Sequence, residues 1–237
     1  MSVVSWRKDG SVAVITMENG ENRHNPVFVK DFFSLFDEVE ADRGVSSVVI
    51  SSSDAKNWSQ GIDINWILPA LSEKRGDEVK DFLLDMNKVF KRILQFPVPV
   101  IAALNGHTFG NGAILACACD FRFMKSSRGY FCFPEVDINI PFLPGMLAVI
   151  RKAFPSAKME EAIFTGKRMG AQELEEANVV FKACEDDKTL IDEVMGFASS
   201  FSKDRNTFKT IKERYNEIIV RIIDNEDPPC IDAVESF

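Results

Sequence analysis

Apolar positions along the chain fall into short β-prone runs and longer stretches of helical period. Residues Val3-Val4-Ser5-Trp6 and Val12-Ala13-Val14-Ile15-Thr16 are joined through Lys8-Asp9-Gly10, the pattern of a hairpin. Asn25-Pro26 then announces a helix, with asparagine at the cap and proline where its missing N–H is harmless. Phe28, Phe32, Leu35, Phe36 and Val39 recur on one face of that helix, and 45–50 reads as a strand. Residues 51–61 are polar and loop-like. Helical period returns over 79–94 through Phe82, Leu83, Met86, Val89, Phe90 and Ile93, and Pro97 and Pro99 stop it. The run 98–104 is continuously apolar, as expected of a strand covered by helices on both faces. A turn over 105–112, an apolar helix through Cys117 and a short strand at 121–124 follow. Helices are expected over 146–154, 158–164, 171–177, 190–201 and 208–223, with a late strand at 179–181. The last helix is amphipathic through Ile211, Tyr215, Ile218, Ile219 and Ile222, and the tail with Pro228-Pro229 reads as loose. A hairpin passing into alternating strand and helix predicts an α/β core with a helical C-terminal portion. No internal repeat is visible.

Composition narrows the class. The 237 residues carry 28 Lys+Arg against 36 Asp+Glu, a net charge of −8, which argues against a general nucleic-acid binder. The longest apolar run, 97–104, is too short to cross a bilayer, so no membrane partner is expected. The N-terminal MSVVSWRKDG lacks the pattern of a secretory signal, and Glu235-Ser236-Phe237 does not match a peroxisomal address. A cytoplasmic protein is the expectation. Five cysteines without paired spacing fit a reducing compartment. Cys117 and Cys119, two apart on an expected helix, point about 200° apart and cannot share one ion; with only His24 and His107 besides, no metal site is expected.

Three segments could carry chemistry. Glycine turns at Gln60-Gly61-Ile62-Asp63 and Gly110-Asn111-Gly112 follow strands, where glycine lets backbone approach a ligand and a helix start offers unpaired N–H groups. Two such donors aimed at one point make an oxyanion hole; two ordinary tight turns are the alternative. Neither turn is a dinucleotide fingerprint or a P-loop. Glu135, set in FCFPEVDINIP at 131–141, would be desolvated by its apolar neighbours and so become a stronger base near neutrality. A surface carboxylate on a strand is the alternative. Asp137 would share the face of Glu135 if the segment is extended.

Taken in order, PVIAALNGH at 99–107, GNG at 110–112, ACACD at 116–120 and FPEVDI at 133–138 resemble the crotonase superfamily, the enoyl-CoA hydratase/isomerase group. WSQGIDI at 58–64 is similar to that family's first oxyanion motif, NRHNP at 22–26 to its early CoA-proximal turn, and FTGKRMGAQEL at 164–174 to its stretch after the active site. The resemblance spans about 12–181. It implies a spiral of ββα repeats over 1–185, an acyl-CoA thioester as ligand, a homotrimer or hexamer, and 186–237 as a helical oligomerisation segment. By position, the N–H groups of Ile62 and Asn111 would form the oxyanion hole. Gly61, Asp63, Gly110 and Gly112 would shape its loops, and Arg23 would lie toward the CoA phosphates. No cofactor is implied beyond the CoA of the substrate. Asn111 stands where the family has glycine, which a side chain turned away would tolerate.

The acids decide between reactions. The family's hydratases use two glutamates; here the first position is Ile114 and the second Glu135. Hydration needs one group to activate water and another to protonate carbon, whereas moving a double bond needs a single base. The resemblance is therefore closest to monofunctional Δ3,Δ2-enoyl-CoA isomerases, which Ser127-Arg128-Gly129 and Glu135-Val136-Asp137-Ile138 also suggest. Glu135 is the expected catalytic base. Two rivals remain open: a hydratase, hydrolase or lyase drawing on Asp63 or Asp137, and an acyl-CoA binder without turnover. Trp66, Phe109, Phe133 and Phe142 could line an acyl pocket or pack between helices.

Overall fold

The computed structural model describes residues 2–233, so Glu235-Ser236-Phe237 lies outside the described residues. A six-stranded sheet forms the centre, in the spatial order Val4–Asp9, Val12–Met17, Ser47–Ser52, Val100–Leu104, Phe121–Lys125 and Lys182–Cys184. The hairpin pairs antiparallel, with Val4 opposite Met17, and the later pairs are parallel. Strands enter the sheet in chain order. After each of four of them the chain adds a short strand to a smaller sheet before the next helix, and after Ser47–Ser52 it adds two, one to each small sheet. Arg23–His24 and Gly61–Ile62 make one such pair, and Asn57–Ser59, His107–Phe109 and Phe131–Cys132 make the other small sheet. This is the spiral of ββα repeats that the resemblance implies, with a helical C-terminal portion.

Both faces of the central strands are covered. Ile15, Val48, Ile50, Ala102 and Leu104 face the helices Pro26–Ala41, Gly76–Leu94 and Asn111–Ala118. Val12, Val14, Val49, Ile101 and Ala103 alternate with them and face Leu190, Val194 and Ala198 of the helix Asp187–Ser199. Phe28, Phe32 and Phe36 run down the first helix with ring centroids 5.4 and 4.5 Å apart, and Phe96 meets the last edge-on at 4.9 Å. Each ring is fully buried or nearly so, and truncating one to alanine costs about 3–5 kcal/mol. Asn25 caps this helix as expected, its side chain accepting from the N–H groups of Val27 and Phe28 at 3.1 Å.

Four expectations need correction. The polar stretch 51–61 contains the strand Asn57–Ser59 and the start of Gly61–Ile62, and a helix, Ile64–Ser72, follows it. The late strand is Lys182–Cys184; Val179 and Val180, the apolar run, are instead buried in the turn that leads to it. The helix expected over 208–223 is two helices, Arg205–Tyr215 and Glu217–Asn225, broken at Asn216. Asn216 is buried and its Nδ2 donates at 2.8 Å to the Leu94 carbonyl at the end of another helix. The tail is not loose over 227–232. It forms the helix Asp227–Asp232, whose two prolines sit in the first turn, and buried Asp227 accepts from Gly145 N at 2.6 Å and Asn87 Nδ2 at 2.8 Å. On the C-terminal helices, Ile211, Tyr215 and Ile218 are exposed. No helix among the described residues is long and apolar enough to cross a membrane.

Candidate active site

The site is assembled by close backbone approach. Gly61, in the strand beside Arg23–His24, has φ +79°, and a Cβ there would stand 2.8 Å from Phe109 O and 2.9 Å from Asn111 N. Only glycine fits, and it lays the Gly61–Ile62 linkage against the first N–H of the helix Asn111–Ala118. That N–H lies at the positive end of the helix. Gly112 packs equally tightly on the other side, where a Cβ would meet Ser59 Oγ at 2.6 Å. Gly110 precedes the helix with φ +54°, and its vacant Cβ position is 3.4 Å from Glu135 Oε1. Residues 61, 62, 110, 111, 112 and 135, which are far apart in sequence, therefore converge.

Glu135 occupies a 3-10 turn, Pro134–Val136, and is 8% exposed. Its Oε2 is buried and accepts no hydrogen bond among the described residues. Burial pushes the carboxyl up to about 7, so the group is poised to exchange a proton near neutral pH. Because the segment is a tight turn and not extended, Asp137 does not share this face. It is exposed and lies against Gly166. The carboxylate pair envisaged for an extended segment is absent.

The other expected residues take distinct places. Ile114, one turn into the helix, is fully buried in the main core, its N–H donating to Gly110 O at 3.1 Å. Asp63 caps the helix Ile64–Ser72: its carboxylate accepts from Asn65 N at 3.1 Å and from Asn25 Nδ2 at 3.2 Å. Arg23 points away from its buried neighbour His24, and its Nε donates to Glu21 at 2.8 Å. Phe133 belongs to the core, packed between Phe131, Phe142 and Phe154, while Trp66, Phe109 and Phe142 are half-buried. A cavity of about 440 Å³ lined by Phe123, Phe181, Glu193 and Phe197 lies elsewhere and includes none of the site residues. Cys117 and Cys119 are buried thiols pushed up to about 12 by desolvation, which makes them inert.

One residue escaped the sequence reading. His24 is fully buried, stacked 4.3 Å from the Phe28 ring, with Nε2 3.1 Å from Ser59 Oγ and Nδ1 2.8 Å from Asn111 Nδ2. Burial pushes its imidazole down to about 3, so the ring is neutral. The Asn111 side chain is thus turned inward, away from the site. A histidine one residue before a helix cap carries no sequence pattern that would reveal this.

The profile of the enoyl-CoA hydratase/isomerase family matches residues 7–221. The peroxisomal enoyl-CoA delta isomerase 2 of Arabidopsis thaliana is 30% identical over 182 residues, 76% of this chain and 76% of the relative. The short-chain-enoyl-CoA hydratase of Clostridium acetobutylicum is 30% identical over 184 residues, 77% of this chain and 69% of the relative. Among solved structures, a probable enoyl-CoA hydratase of Mycobacterium tuberculosis H37Rv superposes with a TM-score of 0.86 at 21% identity, covering 99% of this chain and 95% of the other.

Proposed function

The chain belongs to the enoyl-CoA hydratase/isomerase family, and within it we propose that the protein is an acyl-CoA isomerase converting a 3-enoyl-CoA to the trans-2-enoyl-CoA. Glu135 removes a proton from C2 of the bound thioester. The electron pair moves onto the thioester oxygen, which the N–H groups of Ile62 and Asn111 hold as an enolate. The proton on Glu135 is then delivered to C4 as the electrons return and the C2–C3 double bond forms. No water enters or leaves. Each N–H donor in such a hole contributes about 2.7–4 kcal/mol of barrier lowering.

The observation that carries this reading is the solitude of Glu135. Its carboxyl is buried, raised to about 7 and set beside Gly110. Ile114 stands where a second acid would serve, Asp63 is occupied as a helix cap, and Asp137 is exposed. In the same reading Gly61, Asp63, Gly110, Gly112 and Ile114 shape the thioester site, Arg23 meets the CoA phosphates from the outward face of its strand, and no cofactor besides the substrate's CoA is used. Exposed Ile211, Tyr215 and Ile218 support a homotrimer or hexamer built through 186–237. Free thiols support a cytoplasmic setting.

The test offers the protein a 3-enoyl-CoA and, separately, a trans-2-enoyl-CoA. Appearance of conjugated absorbance from the first and its abolition by Glu135→Gln support isomerisation. Loss of conjugation from the second favours hydration, the activity named for the Clostridium relative. Tight thioester binding with no reaction on either would make the protein a binder.

A further inference from the structure

His24 lies where the two loops of the proposed enolate site meet. Its ring is closed in by Phe28 on one face, and its two nitrogens reach opposite loops. The hydrogen bonds around it fit the tautomer that carries its proton on Nε2. The Ser59 hydroxyl donates to Asn22 O at 2.7 Å, and Gly61 N–H donates to Ser59 Oγ at 3.2 Å. With its proton so engaged, Ser59 Oγ accepts from His24, which places the ring proton on Nε2. Nδ1 is then bare and accepts from Asn111 Nδ2. The donors run in one direction, Asn111 to His24 to Ser59 to Asn22, from the helix start to the loop before Arg23–His24, and on the way Ser59 Oγ also holds the N–H of Gly61. The ring's depressed basicity keeps this neutral form across the working pH range.

We infer that His24 is a positioning residue for the oxyanion site: by drawing the Asn111 carboxamide inward it keeps that side chain out of the acyl site and aims the Asn111 and Ile62 N–H groups at one oxygen. The inference rests on the enolate reading above. It also explains how asparagine is tolerated at 111. The side chain is buried and nearly inaccessible, and only a polar partner on the inner side can hold it there.

The test is a double-mutant cycle of His24→Leu and Asn111→Ala. His24→Leu strands the buried carboxamide, and Asn111→Ala strands Nδ1; replacing both partners by apolar groups removes both orphans and can be nearly neutral. His24→Leu is expected to lower kcat on a 3-enoyl-CoA about 10- to 100-fold, the scale of a slight misplacement at the reacting centre, with KM changed less than about threefold. Adding Asn111→Ala should then restore kcat to within about fivefold of wild type. A second readout is independent of turnover. A bound 2,4-dienoyl-CoA should absorb at longer wavelength when its carbonyl is polarised, and this red shift should fall in His24→Leu and return in the double variant. If the wild type shows the red shift pattern but no isomerisation, the isomerase reading fails while the inference stands. Melting temperatures separate damage from repositioning. Wild-type kcat and red shift in His24→Leu, losses that simply add in the double variant, or no red shift in the wild type would each overturn the inference.

Discussion

A buried base that works near neutrality should weigh on the stability of the fold that holds it, and Glu135→Gln measures that weight. In an unfolded chain the carboxyl titrates near 4.5, whereas in the folded protein burial raises it to about 7. The folded state thus holds the proton more tightly than the unfolded state. The resulting stabilisation is fully present below about 4.5 and is lost as pH rises toward 7, above which the native protein carries an uncompensated buried charge. The displacement corresponds to roughly 3 kcal/mol at alkaline pH, at about 1.4 kcal/mol for each pH unit. Glutamine matches the protonated acid in shape and is never charged. Urea unfolding should therefore show Glu135→Gln about as stable as wild type at pH 4.5 and more stable by on the order of 3 kcal/mol at pH 8. For a chain of this size the gain corresponds to roughly 6–12 °C in melting temperature. The variant should be inactive throughout. A Glu135→Gln protein that is equally stable or weaker at pH 8 would refute the claim that the carboxylate is desolvated.

Other consequences follow from the same geometry. In wild type, kcat/KM should fall about tenfold per pH unit below about 7, since the unprotonated carboxylate does the work; a flat profile from pH 5 to 8 would count against Glu135 as base. Gly61→Ala places a methyl 2.8 Å from Phe109 O and 2.9 Å from Asn111 N in a positive-φ backbone, so it should cost about 1–3 kcal/mol and at least 10²-fold in kcat, measured by unfolding and steady-state assay. Ile114→Glu should weaken the fold by several kcal/mol at pH 8, because the side chain is fully buried, and should gain measurable loss of conjugation on a trans-2-enoyl-CoA; a folded variant with none would show that a second acid at 114 does not face the acyl chain.

The helices with a one-sided apolar stripe were legible, as in Phe28, Phe32 and Phe36, because burial on one face imposes a period. The spiral repeat was not visible as a repeat, since the strands of the small sheets are two or three residues long and carry no period of their own. The helix Ile64–Ser72 was hidden because Pro69 sits inside it and Ile64 and Leu68 are exposed, so no stripe forms. Lys182–Cys184 contains no β-prone run, and its place is set by pairing with Phe121–Lys125. At the site, Glu135 stood out because a carboxylate among aromatic residues is chemically unusual. Asp137 was misplaced because a 3-10 turn and an extended strand send residues two apart in different directions. The Asn111–His24 contact joins residues 87 positions apart in sequence, and nothing local announces it.

In the proposed reaction one glutamate carries a proton from C2 to C4. Turnover of a 3-enoyl-CoA deuterated at C2, with the product's C4 read by mass spectrometry and NMR, addresses it directly. Part of the deuterium should land at C4, and no hydrated product should form. Complete replacement of the label by solvent protons, accompanied by a 3-hydroxyacyl-CoA, would contradict it.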